Sequence, residues 1–364
     1  MTEAAIARIA ARAFEIPTDA PEADGTLAWD KTTLVLVEID ADGNSGLGYT
    51  YADSALAPFI DGTLAPIVSG RSAFDIPGAI AALWRGVRNL GRPGLAAMAI
   101  SAIDLALWDL KAKLLGVPLT RLLGCVRQEI AVYGSGGFTS YSDDKLEDQL
   151  AGWVEREGCR WVKMKIGSDP ERDPTRVQRA RHAIGNRGLF VDANGAFTAK
   201  RALDIAQRLS EYDVAWFEEP VSSDDIDGLD LMREHGPAGM EIAAGEYGYT
   251  LDDFRRLITR PSIDVLQADV TRCGGISGLL QAAALADAHH IDLSAHCAPA
   301  AHLHVACASP RLRHQEWFHD HVRIERLLFD GAPVPHGGMI APDLSRPGLG
   351  LAFKERDAES YRVR

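Results

Sequence analysis

The chain has 364 residues, of which 46% are hydrophobic and 24% charged, a composition typical of globular proteins rather than of disordered, collagen-like or coiled-coil chains. Its 38 basic and 51 acidic residues leave a net charge of −13, which disfavours binding to nucleic-acid phosphates and to anionic lipid surfaces. The length corresponds to one large domain or to two unequal domains.

The chain shows no sign of export or of membrane insertion. No segment has the unbroken apolar run of about 18 residues that a membrane helix needs, and charges interrupt the N-terminal residues where a signal peptide would be apolar. The five cysteines are widely spaced and form no C-x-x-C pair, which argues against a disulfide framework or a zinc knuckle. We therefore expect a soluble, cytoplasmic protein without nucleic-acid or membrane partners.

The first 125 residues predict an α+β unit. Alternation of β-type residues over 32–39, followed by a glycine-rich turn near Gly43, predicts an antiparallel sheet, and helices follow it. The strongest helix begins near Gly94, places apolar residues such as Ile103 and Leu110 on one face, and ends at Gly116. We expect it to be a core helix.

From about residue 129 the sequence repeats a β-prone run that ends in a polar residue and precedes a helical stretch. The run ends recur at intervals of 23 to 28 residues and are Lys165, Asp192, Glu218, Glu246, Asp269 and His296. This βα period favours a TIM-type barrel, in which all these residues would surround one mouth. An open, doubly wound sheet is the alternative, but residues 133–138 lack the G-x-G-x-x-G spacing of a dinucleotide loop.

Three successive predicted strands end in carboxylates, Asp192, Glu218 and Glu246. Three like charges at one point repel one another unless a cation lies between them, and an all-oxygen set favours Mg²⁺, with Mn²⁺ as a possible substitute. The alternative is a structural ion-pair network with nearby basic residues such as Lys163 and Lys165. Three acids in consecutive repeats favour the metal interpretation.

Candidate bases flank the three acids. Lys163 and Lys165 lie two residues apart on one strand face, and a lysine among apolar walls beside another ammonium has a lowered pKa. On the other side, Asp269 and His296 end consecutive repeats, so the carboxylate could fix the imidazole tautomer. A divalent cation between two bases suits abstraction of a proton next to a carboxylate.

The chain resembles the enolase superfamily, specifically its mandelate racemase subgroup. The resemblance is carried by residues 163–165, 192–194, 218–220, 245–246, 273–275, Asp269 and His296, and extends to the helix at 102–110 and to residues 347–350. It implies an α/β fold, a modified (β/α)7β TIM barrel (126–325) with an N-terminal α+β capping domain (1–125) and a C-terminal segment (326–364) that returns to the cap. An assembly of identical chains is also expected from it.

The resemblance also implies roles for individual residues. Asp192, Glu218 and Glu246 would bind Mg²⁺, Lys165 would be one base, and Lys163 would neutralise the carboxylate of a small-molecule substrate. Asp269 and His296 would form the dyad on the other face, and Glu316 would hydrogen-bond the substrate carboxylate. His319 or His321 could line the pocket instead, although a surface loop is the simpler interpretation for both.

Two bases permit either dehydration or racemisation of a hydroxy acid, and the resemblance favours dehydration of a sugar acid to a 2-keto-3-deoxy acid. A racemase or epimerase is the alternative, and a non-catalytic binding relative is a third. Specificity is expected from two cap loops at 16–30 and 49–59. Four acids in the first loop and Glu15 just before it precede the next basic residue, Lys31, which favours a monoacid over a diacid unless the loop is simply solvated.

Overall fold

The structure, a computed structural model, describes residues 4–363 and begins with a three-stranded antiparallel sheet. The strands β1 (Arg8–Ala23), β2 (Ala28–Ala41) and β3 (Asn44–Tyr51) pair in sequence order. Five helices follow: α1 (Leu56–Phe59), α2 (Ala65–Val68), α3 (Ile76–Gly86), α4 (Leu95–Leu114) and α5 (Leu119–Leu123), with a π-helical turn (Ile60–Leu64) between α1 and α2. The predicted sheet and core helix are confirmed.

Helix α4 is almost wholly buried because the backbone of β3 lies directly against it. A Cβ atom at Gly48 would lie 2.2 Å from the carbonyl oxygen of Ala102, so only glycine permits this approach. Deep burial of Ile103 and Leu107 on the helix then forms the core of the cap.

Eight parallel strands close into a barrel, as predicted. They are β4 (Ile130–Gly136), β5 (Trp161–Lys165), β6 (Gly188–Asp192), β7 (Val214–Glu218), β8 (Glu241–Ala244), β9 (Val265–Ala268), β10 (Asp292–Ala295) and β11 (Leu312–Phe318), and β11 pairs with β4. The helices after them are α6 (Asp143–Glu155), α7 (Asp173–Ile184), α8 (Ala199–Leu209), α9 (Ile226–His235), α10 (Leu251–Thr259), α11 (Gly275–Ala288), α12 (Pro299–Ala308) and α13 (His319–Leu328). A 3₁₀ turn (Ser210–Tyr212) follows α8.

The last part of the chain runs back towards the cap. Strands β12 (Phe329–Asp330) and β14 (Ala352–Phe353) pair with each other, β13 (Met339–Ile340) pairs with β4, and α14 (Glu355–Ala358) precedes a 3₁₀ turn (Glu359–Tyr361). The backbone N–H of Leu349 donates to Asp109 on α4 at 2.7 Å. The division into domains at 125 and 325 stays a prediction, and α13 runs across the second of these positions.

Within residues 4–363, no helix has both the length and the hydropathy needed to cross a membrane.

The segment predicted as an acidic specificity loop, 16–30, is a hairpin formed by the ends of β1 and β2 and a short turn at 24–27. Its tip reaches the barrel mouth: the backbone N–H of Thr139 donates to the carbonyl oxygen of Ala23, and the hydroxyl of Ser140 donates to that of Pro21. A Cβ at Gly25 would lie 2.5 Å from the carbonyl oxygen of Ala193, just after β6. The hairpin therefore covers the carboxyl ends of the strands.

The second predicted loop, 49–59, is also mostly regular structure, because it comprises the end of β3 and helix α1. Tyr49 is fully buried and donates its hydroxyl proton to Glu325 at 2.5 Å. The ring of Tyr51 stacks on His321 with centroids 3.5 Å apart. This part of the cap is therefore packed against α13.

Candidate active site

The barrel brings the predicted site residues together at the carboxyl ends of the strands. Parallel strands end at one edge of the sheet, and inward-pointing residues alternate along each strand. Aromatic side chains such as Phe190 and Trp216 fill the interior below the polar layer. The polar layer is buried and contains Lys163, Lys165, Asp192, Glu218, Glu246, Asp269, His296 and Glu316.

The carboxylates of Asp192, Glu218 and Glu246 form a compact group. One oxygen from each lies within 4.8 Å of the others. Burial and the neighbouring Asp192 charge raise the pKa of Glu218 to about 8, and Oε2 of Glu246 accepts no hydrogen bond among the described residues. Closely spaced carboxylate oxygens, one of which accepts no hydrogen bond, fit a divalent cation.

The charge balance of the site also fits a divalent cation. Five acid side chains face three permanently basic groups and His296. Burial lowers the pKa of His296, but its acidic neighbours outweigh that effect and raise the pKa well above its usual value, so the acids outnumber the basic groups by one. The five acids are Asp192, Glu218, Glu246, Asp269 and Glu316, and the bases are Lys163, Lys165 and Arg272. A further acid, Glu219, is buried beside Glu246, and burial raises its pKa well above the usual range.

The two lysines lie between the acids. Nζ of Lys163 lies 2.6 Å from Glu218 and 2.7 Å from Glu316, and Nζ of Lys165 lies 2.5 Å from Asp192. Burial lowers the pKa of Lys165, but the Asp192 carboxylate outweighs that effect, and the net shift is upward. The expected fall of the lysine pKa is therefore wrong for this arrangement of charges, because the predicted apolar walls are in fact carboxylates.

Asp269 and His296 are in direct contact, as their consecutive positions suggested. Nδ1 of His296 lies 2.9 Å from Oδ2 of Asp269, while Oδ1 of Asp269 accepts from the backbone N–H and the hydroxyl of Thr271, both at 2.7 Å. Burial raises the pKa of Asp269, but the hydrogen bond from His296 lowers it further and it stays ionised. A fixed carboxylate on Nδ1 leaves Nε2 of His296 to carry or accept a proton.

Glu316 is held by the first strand of the barrel rather than left free. Its Oε1 accepts from the hydroxyl of Ser135 at 2.5 Å and from Lys163, and its Oε2 accepts from the backbone N–H of Cys297 at 3.0 Å. Burial raises the pKa of Glu316, but Lys163 lowers it well below the usual range. A hydrogen bond from Glu316 to a substrate carboxylate would require a proton on Glu316, and this role stays a prediction.

The alternative pocket residues, His319 and His321, lie on α13 and not on a surface loop. Nε2 of His319 lies 3.0 Å from Asp19 of the hairpin. His321 is buried, accepts from the backbone N–H of Ala298 at 3.3 Å, and burial lowers its pKa to about 3. The surface-loop interpretation is therefore wrong for both.

Several members of the polar layer did not stand out in the sequence. Ser135 lies on the first barrel strand, before the repeat becomes recognisable, and Arg272 lies within 3.6 Å of both Glu246 and Asp269. Asn194 accepts from Lys165 at 3.0 Å, and Sγ of Cys297 lies 3.3 Å from Nε2 of His296. Asn194, Arg272 and Cys297 lie one to three residues after a predicted strand end, which was the available signal, whereas Ser135 had no such signal.

Comparison with known proteins identifies the same architecture elsewhere. Residues 9–124 match the family model described as mandelate racemase / muconate lactonizing enzyme, N-terminal domain, and residues 145–358 match the model described as enolase C-terminal domain-like. A mandelate racemase/muconate lactonizing enzyme-like protein from Rubrobacter xylanophilus is 51% identical, with a TM-score of 0.96 over 99% of this chain and 100% of that one.

Two enzymes from curated sets are also similar. The 3,6-anhydro-alpha-L-galactonate cycloisomerase of Streptomyces coelicolor is 33% identical over 96% of this chain and 97% of its own. The L-talarate/galactarate dehydratase of Salmonella typhimurium is 33% identical over 90% of this chain and 82% of its own. Its structure with Mg and L-lyxarohydroxamate has a TM-score of 0.90, with 28% identity over 100% of this chain and 94% of that one. The chain therefore belongs to the mandelate racemase and muconate lactonizing enzyme family of the enolase superfamily.

Proposed function

We propose that this enzyme removes the proton alpha to the carboxylate of a sugar acid and dehydrates the acid to a 2-keto-3-deoxy acid. The observation that carries the proposal is that two proton-transfer groups contact the cluster of three carboxylates. Lys165 contacts Asp192, and His296 contacts Glu246. Asp192, Glu218 and Glu246 would hold Mg²⁺, or Mn²⁺ in its place. When bound, the cation would stabilise the charge developing on the substrate carboxylate and draw the Asp192 charge away from Lys165.

The chain's own residues would then divide the proton transfers. Lys165, buried and freed from its carboxylate partner, takes the alpha proton on Nζ. His296, held through Nδ1 by Asp269, gives its Nε2 proton to the hydroxyl on the neighbouring carbon, which leaves as water. Lys163 contributes a fixed positive charge for the substrate carboxylate, and Glu316 and Ser135 hold Lys163 in place.

Dehydration is preferred to racemisation because of the relatives' names. Curated relatives that match this chain include an arabinonate dehydratase and an L-rhamnonate dehydratase, 29% and 32% identical. The two-base arrangement would also support racemisation, and the experiment below separates the two reactions.

The covering hairpin gives less reason than expected to exclude a diacid. Glu15 pairs with Lys31, and Asp19 pairs with His319. Glu22 is buried, accepts from the indole N–H of Trp29 at 2.9 Å, and burial raises its pKa to about 8, so it is neutral at pH 7. The predicted acidic surface is thus largely neutralised, and both monoacids and diacids belong in the substrate panel.

The test is proton NMR in D₂O with Mg²⁺ and a panel of aldonic, aldaric and 2-hydroxy acids. A 2-keto-3-deoxy product is expected. Conversion to the other stereoisomer with deuterium incorporation would instead establish racemisation, and no exchange or product with any acid would contradict the proposal.

Single variants assign the two groups. We expect Lys165→Ala and His296→Asn each to abolish turnover without unfolding the protein. The exposed residues Lys200 and His182 offer matched controls, Lys200→Ala and His182→Asn, which should retain activity. Full activity in either site variant would contradict the assigned roles.

A further inference from the structure

Three atoms of different chemical types converge on the side of the polar layer nearest β10 and β11. They are Nε2 of His296, Sγ of Cys297 and Oε2 of Glu316. Sγ lies 3.3 Å from Nε2 and 3.4 Å from Oε2, and Nε2 lies 3.7 Å from Oε2. The three residues are only 5%, 4% and 1% exposed. A buried nitrogen, sulfur and oxygen triangle of this size is a donor set for a metal ion.

The dimensions agree with tetrahedral zinc. Zinc binds sulfur at about 2.3 Å, imidazole nitrogen at about 2.0–2.1 Å and carboxylate oxygen at about 2.0–2.2 Å, so neighbouring ligand atoms at tetrahedral angles are roughly 3.3–3.6 Å apart. The three measured separations lie at or close to that range. A single point about 2.1 Å from all three atoms is therefore available without a large movement.

The surrounding contacts already orient the three donors. Asp269 accepts from Nδ1 of His296, which is the usual support for a metal-binding imidazole and fixes the ring orientation. The backbone N–H of Cys297 donates to Glu316, and Cys297 has a positive φ of 50°. Oε2 of Glu246 is buried, lacks a hydrogen-bond partner among the described residues and lies 3.2 Å from Nε2 of His296.

We propose that His296, Cys297 and Glu316 form a second cation site that selects thiophilic divalent ions, typically Zn²⁺, over Mg²⁺. The thiol supplies the selectivity, because sulfur ligands favour zinc whereas Mg²⁺ requires oxygen ligands. Binding replaces the Sγ–H bond of Cys297 and the Nε2–H bond of His296 with bonds to the metal, and both protons leave to solvent. The site is distinct from the all-oxygen group of Asp192, Glu218 and Glu246.

An ion at this site would inhibit the enzyme, because it occupies the nitrogen that His296 uses for proton transfer. This consequence rests on the proposed function, whereas the binding itself does not. Micromolar zinc would then switch the enzyme off even with the oxygen site saturated by Mg²⁺.

The binding test uses Co²⁺ as a spectroscopic substitute for zinc on the Mg²⁺-saturated protein. Thiolate ligation gives a sulfur-to-cobalt charge-transfer absorption in the near ultraviolet, which an oxygen-only site does not give. We expect one equivalent of Co²⁺ to produce this band, Zn²⁺ to displace it, and Cys297→Ser to abolish it. Cys125 is the one half-buried thiol among the cysteines, all of which are described, so Cys125→Ser is the control and should keep the band.

A wild-type protein without the band, or a Cys297→Ser variant that retains it, would overturn the site. Cys297→Ala serves as a second variant if serine at this position disturbs folding.

The inhibition test measures turnover against zinc concentration at saturating Mg²⁺. Loss of one ligand should raise the half-inhibitory zinc concentration about tenfold or more in Cys297→Ser and leave it unchanged in Cys125→Ser. Equal zinc sensitivity of the wild type and Cys297→Ser would refute inhibition through this site. The cobalt spectrum is independent of substrate, so a failure of the proposed reaction and a failure of the cation site give different results.

Discussion

Replacing Asp269 with asparagine would test whether the orientation of His296 matters for the reaction. The backbone N–H of Thr271 can only donate, and it lies 2.7 Å from Oδ1 of Asp269. An asparagine in the same position would therefore keep its carbonyl oxygen on Thr271 and turn its NH₂ group towards His296. Nδ1 of the imidazole would then have to accept, which places the ring proton on Nε2.

The magnitude follows from two losses. A hydrogen bond to a charged group contributes about 1.5–3 kcal/mol, so removing the carboxylate destabilises the imidazolium and lowers the pKa of His296. The amide NH₂ that faces Nδ1 adds a further cost, because the imidazolium that donates from Nε2 needs a proton on Nδ1 as well. In serine proteases, where the histidine first acts as a base, the equivalent change lowers kcat about 10⁴-fold. We expect a fall in kcat of about 10³–10⁴-fold in Asp269→Asn.

The assay separates the two halves of the reaction. Exchange of the alpha proton in D₂O, which depends on Lys165, should fall far less than loss of water, which depends on His296. The exposed Asp357→Asn is a matched control and should behave as wild type. A kcat within tenfold of wild type in Asp269→Asn, or equal losses of exchange and dehydration, would refute the reasoning.

Three further predictions concern the cap, its interface with the barrel and the cation. Gly25→Ala should lower kcat/KM by about tenfold or more with little change in Tm, because its Cβ would lie 2.5 Å from the carbonyl oxygen of Ala193. In Gly78→Ala, on α3, the added Cβ would have nothing within 4 Å, so this variant should instead raise the free energy of unfolding by about 0.4–1 kcal/mol and keep its activity. Equal losses of kcat/KM in the two glycine variants would contradict this. Burial raises the pKa of Asp104 to about 7, so the folded state keeps a proton that the unfolded chain loses above about pH 4. Relative to Asp104→Asn, the free energy of unfolding of the wild type should therefore fall by up to about 4 kcal/mol as pH rises from 4 to 7. Urea denaturation at several pH values measures this difference, and a difference that stays constant would disprove the prediction. Mg²⁺ at a hundred times its Kd should raise the free energy of unfolding by about 2.7 kcal/mol, and thermal unfolding should show no such gain in Glu246→Gln.

The sequence was most informative about residues whose positions follow from the βα repeat. Asp192 and Glu218 could be placed at one mouth because each ends a strand of the same repeat, and parallel strands end together. The partner of Glu316 could not be predicted, because Ser135 lies 181 residues earlier and meets it only when β11 pairs with β4.

The structure of the cap was harder to predict from the sequence, also because it depends on contacts between distant residues. Residues 16–30 were expected to form an acidic loop, but Glu22 is buried and accepts a hydrogen bond from Trp29, which packs against the barrel. Tertiary packing, which a local pattern does not contain, also reversed the expected pKa shift of Lys165 by placing Asp192 beside it.

The seam between β11 and β4 has a consequence for how the protein is made. Lys163 is fully buried, and one of its carboxylate partners, Glu316, arrives with the last barrel strand. During synthesis the ribosome must therefore release about seven-eighths of the chain before this ammonium group obtains its full set of partners. Such high contact order slows folding, and a nascent barrel that still lacks its final strand would carry an undercompensated buried charge. Chain termination before residue 316 should thus yield no partly active fragment, only a substrate for chaperones and proteases.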